Sequence, residues 1–118
     1  MEEFLPWVVK FHSEDLSATE HTIGNVLIRI EEEDAYSEAR VDVCLRLKGE
    51  SGFTDLILAG RYLDKWQRRD GVWRIYDRIA LVDFYRTHPV VQDAASKNIM
   101  EKAIFGSRDN QDLSYKYV

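Results

Sequence analysis

Hydrophobic and polar positions alternate most cleanly between Glu38 and Lys48. Ala39, Val41, Val43, Leu45 and Leu47 share one side of this stretch; Glu38, Arg40, Asp42, Cys44, Arg46 and Lys48 share the other. A period of two with one charged side predicts a strand of an antiparallel sheet that meets water on one face. Two longer apolar arms follow, from about Thr54 to Arg68 and from Val72 to Tyr85, joined at Asp70-Gly71. Asp-Gly between such runs predicts a hairpin, because both central residues of a type I′ turn need φ > 0. Each arm exceeds the usual strand of about five or six residues, which predicts a strongly bent sheet that wraps around something. Gly60, inside the third strand, predicts the bulge or bend that such a sheet needs.

Upstream, His21 to Ile30 reads as the first strand. Val26, Ile28 and Ile30 fall on one side, and His21, Asn25 and Arg29 on a more polar side that Ile23 and Leu27 interrupt. Glu31 to Asp34 is an acidic turn without the spaced oxygen ligands and central glycine of a calcium loop, so it reads as a solvated hairpin end. Lys48 to Gly52 is a second turn. At the start of the chain Phe4, Leu5, Val8 and Phe11 recur at helical spacing beside Trp7. They predict a helix from near Glu3, with Pro6 in its first turn, to about Ser13. His12 near its end reads as a surface residue. Asp15 to Glu20 reads as a polar loop. Beyond His88-Pro89 a short helix is predicted within Val90–Phe105, carried by Ala94, Ala95, Ile99, Met100, Ala103 and Ile104. Gly106 to Val118 reads as a polar arm, either packed on a neighbouring subunit or frayed.

At 118 residues the chain is one domain, with a helix-and-sheet core over 1–88 and an arm over 89–118. A formal charge of −5 argues against nucleic acid and against an anionic membrane surface as partners. The opening MEEFLPWVVK is acidic where a signal peptide would be basic, and no apolar run reaches the length of a membrane span. Cys44 is the only cysteine, which fits a reducing cytoplasm and a small sheet residue. No His/Cys/Asp/Glu set has metal-ligand spacing, and no nucleophile elbow, P-loop or dinucleotide fingerprint occurs. No metal or cofactor is therefore expected.

From the residues alone His21, at a strand start, reads first as a structural histidine; general-base work would need a pKa near neutrality and a fixed tautomer. Glu20, Asp42 and Asp77 are candidate partners for it only as acids in or beside strands. Arg78 is the second candidate. Strand parity groups it with Tyr76, Ala80 and Val82, opposite Trp73, Ile75, Ile79 and Leu81. It either faces a pocket or pairs with an acid of a neighbouring strand. Tyr62, Trp66, Trp73 and Tyr76 form an aromatic cluster that cross-strand pairing explains without a ligand.

A helix followed by four long strands, with GRYLDKWQRRDGVWRI in the last pair, resembles the SnoaL-like (polyketide cyclase-like) branch of the nuclear transport factor 2-like superfamily. The resemblance spans roughly His21 to Tyr85. G-R-Y-L-D followed by R-R-D-G-V-W-R-I is its most specific piece, and H-T-I-G-N, which carries His21 and Asn25, adds to it; the tail FGSRDNQDLSY lends weaker support. It implies an α+β cone-shaped barrel, a bent antiparallel four-strand sheet packed on helix, with the open end as a pocket. The family's first helices, which carry the Asp partner of the histidine and a pocket tyrosine, would lie ahead of Met1 and are expected to be missing. The implied activity is cofactor-independent lyase or isomerase chemistry of the dehydratase, dehydrochlorinase or isomerase type. The implied substrate is a small hydrophobic molecule, polycyclic or aromatic. His21 would abstract the proton, and Arg78 would stabilise developing negative charge or a leaving group. Asn25, Tyr62 and Tyr76 would bind substrate, in a cytoplasmic homo-oligomer. The alternative is a non-catalytic ligand-binding or dimerisation module of the same fold, or a truncated family member.

Overall fold

The computed structural model describes residues 10–118. Among them β1 (Leu16–Glu31), β2 (Asp34–Gly49), β3 (Gly52–Arg69) and β4 (Val72–Pro89) form one antiparallel sheet in the order β1-β2-β3-β4. Asp70 and Gly71 have φ of +52° and +77°, the two left-handed residues that a type I′ turn requires. The acidic turn lies against the same end of the sheet. Arg68 donates its backbone N–H to Glu33 O at 2.7 Å, and its guanidinium spans the Glu33 carboxylate at 3.0 and 2.7 Å. Hydrogen bonding to Arg68 holds the Glu33 carboxyl below its ordinary value.

The strands run further than their apolar patterns. Leu16 to Glu20, read from its polar composition as loop, is strand, because β1 pairs with β2 down to Leu16–Leu47. Ladder bonds to an ordered neighbour override a weak local propensity. At the other edge β4 continues to Pro89, which lies opposite Thr54. Of the helix expected from Glu3 to Ser13, most lies outside the described residues; Lys10 is helical and Phe11–Asp15 forms a π-helical turn that runs into β1.

After β4 a short helix, α1 (Ala94–Met100), is capped by Asp93, whose carboxylate accepts from Ser96 N at 2.7 Å. It ends before Ala103 and Ile104, which belong to the connection that follows. The arm is ordered around Asp112, whose carboxylate accepts from Ser107 N at 2.7 Å and Ser114 N at 3.0 Å. Arg108 Nη1 donates to Leu16 O at 2.7 Å, which ties the arm to the start of its own β1.

Burial runs as a strip along β2, with Ala35, Ser37, Ala39, Val41 and Val43 under 10% exposed. A compact monomer of 13.8 kDa exposes about 6,600 Å². This chain exposes 9976 Å². The sheet therefore presents a large apolar surface beside its narrow core, with Ile23, Ile28 and Val82 each more than half exposed.

Candidate functional site

Residues directly opposite in a ladder lie on one face of the sheet, so the pairing register shows which side chains share the buried side of β2. Three bulges decide the answer. From the Glu31–Asp34 end, an unbroken β1–β2 ladder would set His21 opposite Cys44, on the charged face. Between Gly24 and Leu27 one extra β1 residue is inserted against Ala39, and His21 falls opposite Val43 instead. Asn25 sits in this bulge with φ of +49°, a conformation that asparagine tolerates better than most residues. The shift puts His21 and Ile23 on the same face as Ile28 and Ile30, which corrects the grouping read from strict alternation and accounts for Ile23 among polar positions.

The same device acts on the other edge. From the Asp70-Gly71 turn an unbroken ladder would set Arg78 opposite Leu63. An extra residue at Tyr76 shifts the register, so that Trp66 pairs with Ile75 and Asp64 pairs with Arg78. Trp73 and Ile75 therefore share the face of Arg78, Ala80 and Val82, while Ile79 and Leu81 lie on the other. A third shift, beside Gly60, leaves Asp83 as the extra residue. Asp83 accepts from Arg61 on the outer side at 3.0 and 3.2 Å. Gly60 is buried, and a Cβ there would lie 2.2 Å from Leu81 O, so the strands approach more closely than any side chain permits.

Arg78 is held tightly. Its Nε and Nη2 donate to the two oxygens of Asp64 at 2.7 and 2.8 Å, and its guanidinium lies 4.0 Å from the centre of the Tyr62 ring. The Asp64 side chain is 4% exposed while that of Arg78 is 40% exposed, so the pair runs from the interior to the surface. Hydrogen bonding to Asp64 raises the Arg78 pKa above its already high value, against the opposing effect of burial. Beside them Trp66 Nε1 donates to Ser37 Oγ at 2.9 Å, and Ser37 is buried opposite Asp64. Ser37, Asp64 and Arg78 thus form a polar band across a largely apolar face.

Tyr62 is half-buried in the adjacent row, opposite Ala39 and Ala80. Tyr76 is exposed at its bulge. His21 is exposed in the row of Val43, Leu58 and Tyr85, with Thr19 Oγ1 3.2 Å from its Nδ1 among its contacts. Its row and that of Arg78 are six residues apart along β2, roughly 20 Å of strand, and the two residues occupy opposite edge strands. They share a face without being in contact. Of the acids proposed as partners for His21, Glu20 and Asp42 pair with ladder neighbours on the outer face, and Asp77 lies opposite Lys65. Asp64 and Ser37, which do organise this face, were not among the sequence candidates.

Two hollows flank the arrangement. One of about 190 Å³ lies on the inner face, lined by Ile28, Ile30, Ala35, Trp66 and Trp73. A larger one of about 500 Å³ opens mainly on the outer face, where Leu27, Tyr36, Leu63 and Ile79 meet. No group of three or more metal-ligating side chains lies together among the described residues. No described helix is long and apolar enough to cross a membrane.

A family profile described as SnoaL-like domain matches residues 1–79. No curated protein matches the sequence. Among solved structures the chain is similar to hexachlorocyclohexane dehydrochlorinase LinA-type3 from Novosphingobium barchaimii, at 17% identity and a TM-score of 0.65 over 79% of this chain and 63% of that one. It is similar to a candidate scytalone dehydratase from Novosphingobium aromaticivorans, at 24% identity and 0.59 over 75% and 57%. It is also similar to the Kfla4162 protein of Kribbella flavida, at 18% identity and 0.61 over 71% and 59%. The chain spans about three fifths of the length of these proteins, and at such identities the likeness is one of fold.

Proposed function

Because the chain belongs to the SnoaL-like family, we propose that the inner face of its sheet forms the wall of a cone-shaped pocket for a small hydrophobic molecule, where lyase- or isomerase-type chemistry proceeds without a cofactor. The observation that carries this reading is the bulge at Asn25. Without it His21 would project among the charged residues of the outer face; with it His21 joins the apolar side. A histidine there can take a proton from a carbon next to an activating group. Arg78 offers donors to a polar group of the ligand, with Asp64 and Tyr62 fixing its orientation. Its row stands roughly 20 Å along β2 from that of His21, on the opposite edge strand, so it serves the far end of an elongated, polycyclic ligand rather than the carbon that loses the proton. The presence of a hexachlorocyclohexane dehydrochlorinase and a candidate scytalone dehydratase among the similar structures supports the reaction class.

The test is proton abstraction itself. Exchange of the α-protons of a ring ketone such as 2-tetralone is followed by NMR in D₂O. Exchange should exceed background in proportion to protein and fall about a hundredfold or more in His21→Gln. Equal exchange by the variant defeats the role of His21. A second reading, a ligand-binding module without chemistry, is favoured by the engagement of Arg78 with Asp64. It predicts ligand binding with exchange at background.

A further inference from the structure

Arg78 brings its charge to the inner face already cancelled. Two of the five N–H groups of its guanidinium are spent on the buried Asp64 carboxylate. Three remain on a side chain that is 40% exposed. A hollow begins in the Arg78 row at Ile28 and runs toward the Asp70-Gly71 turn through the next row, about 7 Å on, where Ile30 and Trp66 lie, to Trp73 one row further. Its volume of about 190 Å³ suits one benzene-sized ring, since an apolar cavity of about 150 Å³ in another protein binds benzene.

We propose that this corner is a subsite for a single ring bearing an uncharged hydrogen-bond acceptor, a carbonyl or hydroxyl. Asp64 acts as the positioning residue that makes it prefer neutral ligands to anions. An isolated arginine would draw carboxylates in bidentate fashion. Here an incoming carboxylate meets a guanidinium whose charge is already matched, with the Asp64 carboxylate immediately behind it, and like charges at short range repel. A neutral acceptor takes a free N–H and leaves the charge balance intact. The proposal rests on the reading that the inner face receives ligand, and it adds the class of group that the corner selects.

The experiment titrates the ¹⁵N-labelled protein with acetophenone, benzoate and toluene at pH 7, following the indole N–H resonances of Trp66 and Trp73. Acetophenone should bind at least about tenfold more tightly than benzoate, the difference between a hydrogen bond gained and one opposed by like charge. It should also bind more tightly than toluene. In Asp64→Asn the order of acetophenone and benzoate should reverse. Benzoate binding as well as acetophenone to the unaltered protein overturns the proposal, and that comparison stands even if the variant does not fold. An unchanged order in a folded Asp64→Asn removes Asp64 from it. Indole resonances that respond to none of the three compounds overturn the subsite, while ketone exchange that depends on His21 would still uphold the reading of the face.

Discussion

Gly60→Ala tests the geometry on which the inner face depends. An ideal Cβ at Gly60 lies 2.2 Å from Leu81 O and 3.3 Å from Leu81 C, and contacts under 3.0 Å essentially never occur. Both nearest atoms are backbone, so no rotamer change relieves the clash, and β3 and β4 must part by close to an ångström. Overpacking of this kind costs about 1–3 kcal/mol. Weakening a neighbouring ladder bond adds roughly 0.5–1.5 kcal/mol. Against this, alanine restricts the unfolded chain and returns about 0.4–1 kcal/mol. The net expectation is a loss of about 0.5–4 kcal/mol, centred near 2. A domain of this length has roughly 6–18 kcal/mol to lose. Urea denaturation at 25 °C should show the midpoint falling by about 1–2 M at unchanged slope. Gly24→Ala, where a Cβ meets nothing within 4 Å, supplies the control. It should be neutral or slightly stabilising. If Gly60→Ala matches the parent within about 0.5 kcal/mol, inside the usual scatter of surface substitutions, the strands do not approach as described.

Gly71 has φ of +77° and open space around its Cα, so Gly71→Ala meets backbone strain alone. The expected loss is about 1–2 kcal/mol by the same denaturation assay, and a neutral result would argue against a type I′ turn. For pH, the carboxyls of Glu33, Asp55, Asp93 and Asp112 all sit below their ordinary values. Hydrogen bonds from Arg68, Arg46, Ser96 and Ser114, respectively, are the leading causes. A folded-state pKa below the unfolded one contributes stability above the unfolded value, and that stability is lost as pH falls through the folded value. Urea midpoints should therefore be level from pH 7 to about 5 and decline below about pH 4. A midpoint that is flat or rising between pH 4 and 2.5 would contradict these pairings.

Much of the fold can be read from the chain because its strands are long and their turns are explicit. The alternation over Glu38–Lys48 and the Asp-Gly turn are local signals, and each gives an element without help from its neighbours. The extent of β1 is not local. Leu16 to Glu20 is polar and becomes strand only because Leu47 to Cys44 are there to pair with it. Which residues share a face is legible only as far as the first bulge. Counting outward from Asp70-Gly71, strict pairing reaches Leu63 as the partner of Arg78, and the residue inserted at Tyr76 makes it Asp64. One inserted residue reverses the face of every side chain beyond it. For that reason alternation sent Ile75 and Trp73 to the wrong side and left Asp64 unnoticed. Gly60 was legible because a glycine amid large apolar residues has few other reasons to be there. Nothing comparable marks Tyr76.

The two readings of Arg78, structural partner or ligand-facing donor, are not exclusive once its register is known. If β4 slipped back by one residue to the unbroken ladder, Arg78 would turn to the outer face. The buried carboxylate of Asp64 would then lose its partner, at a cost of several kcal/mol. The bonds to Asp64 therefore hold the bulge in place as much as the bulge brings the two residues together. The neighbouring Trp66–Ser37 bond works in the same sense, since a slip between β2 and β3 would strand the buried Ser37 hydroxyl. A guanidinium locked in this way loses little freedom when a ligand arrives, so its remaining donors act from a fixed position. The structural role of the pair is what makes a directional role for Arg78 feasible. It also limits that role to groups that do not contend with Asp64 for the same charge.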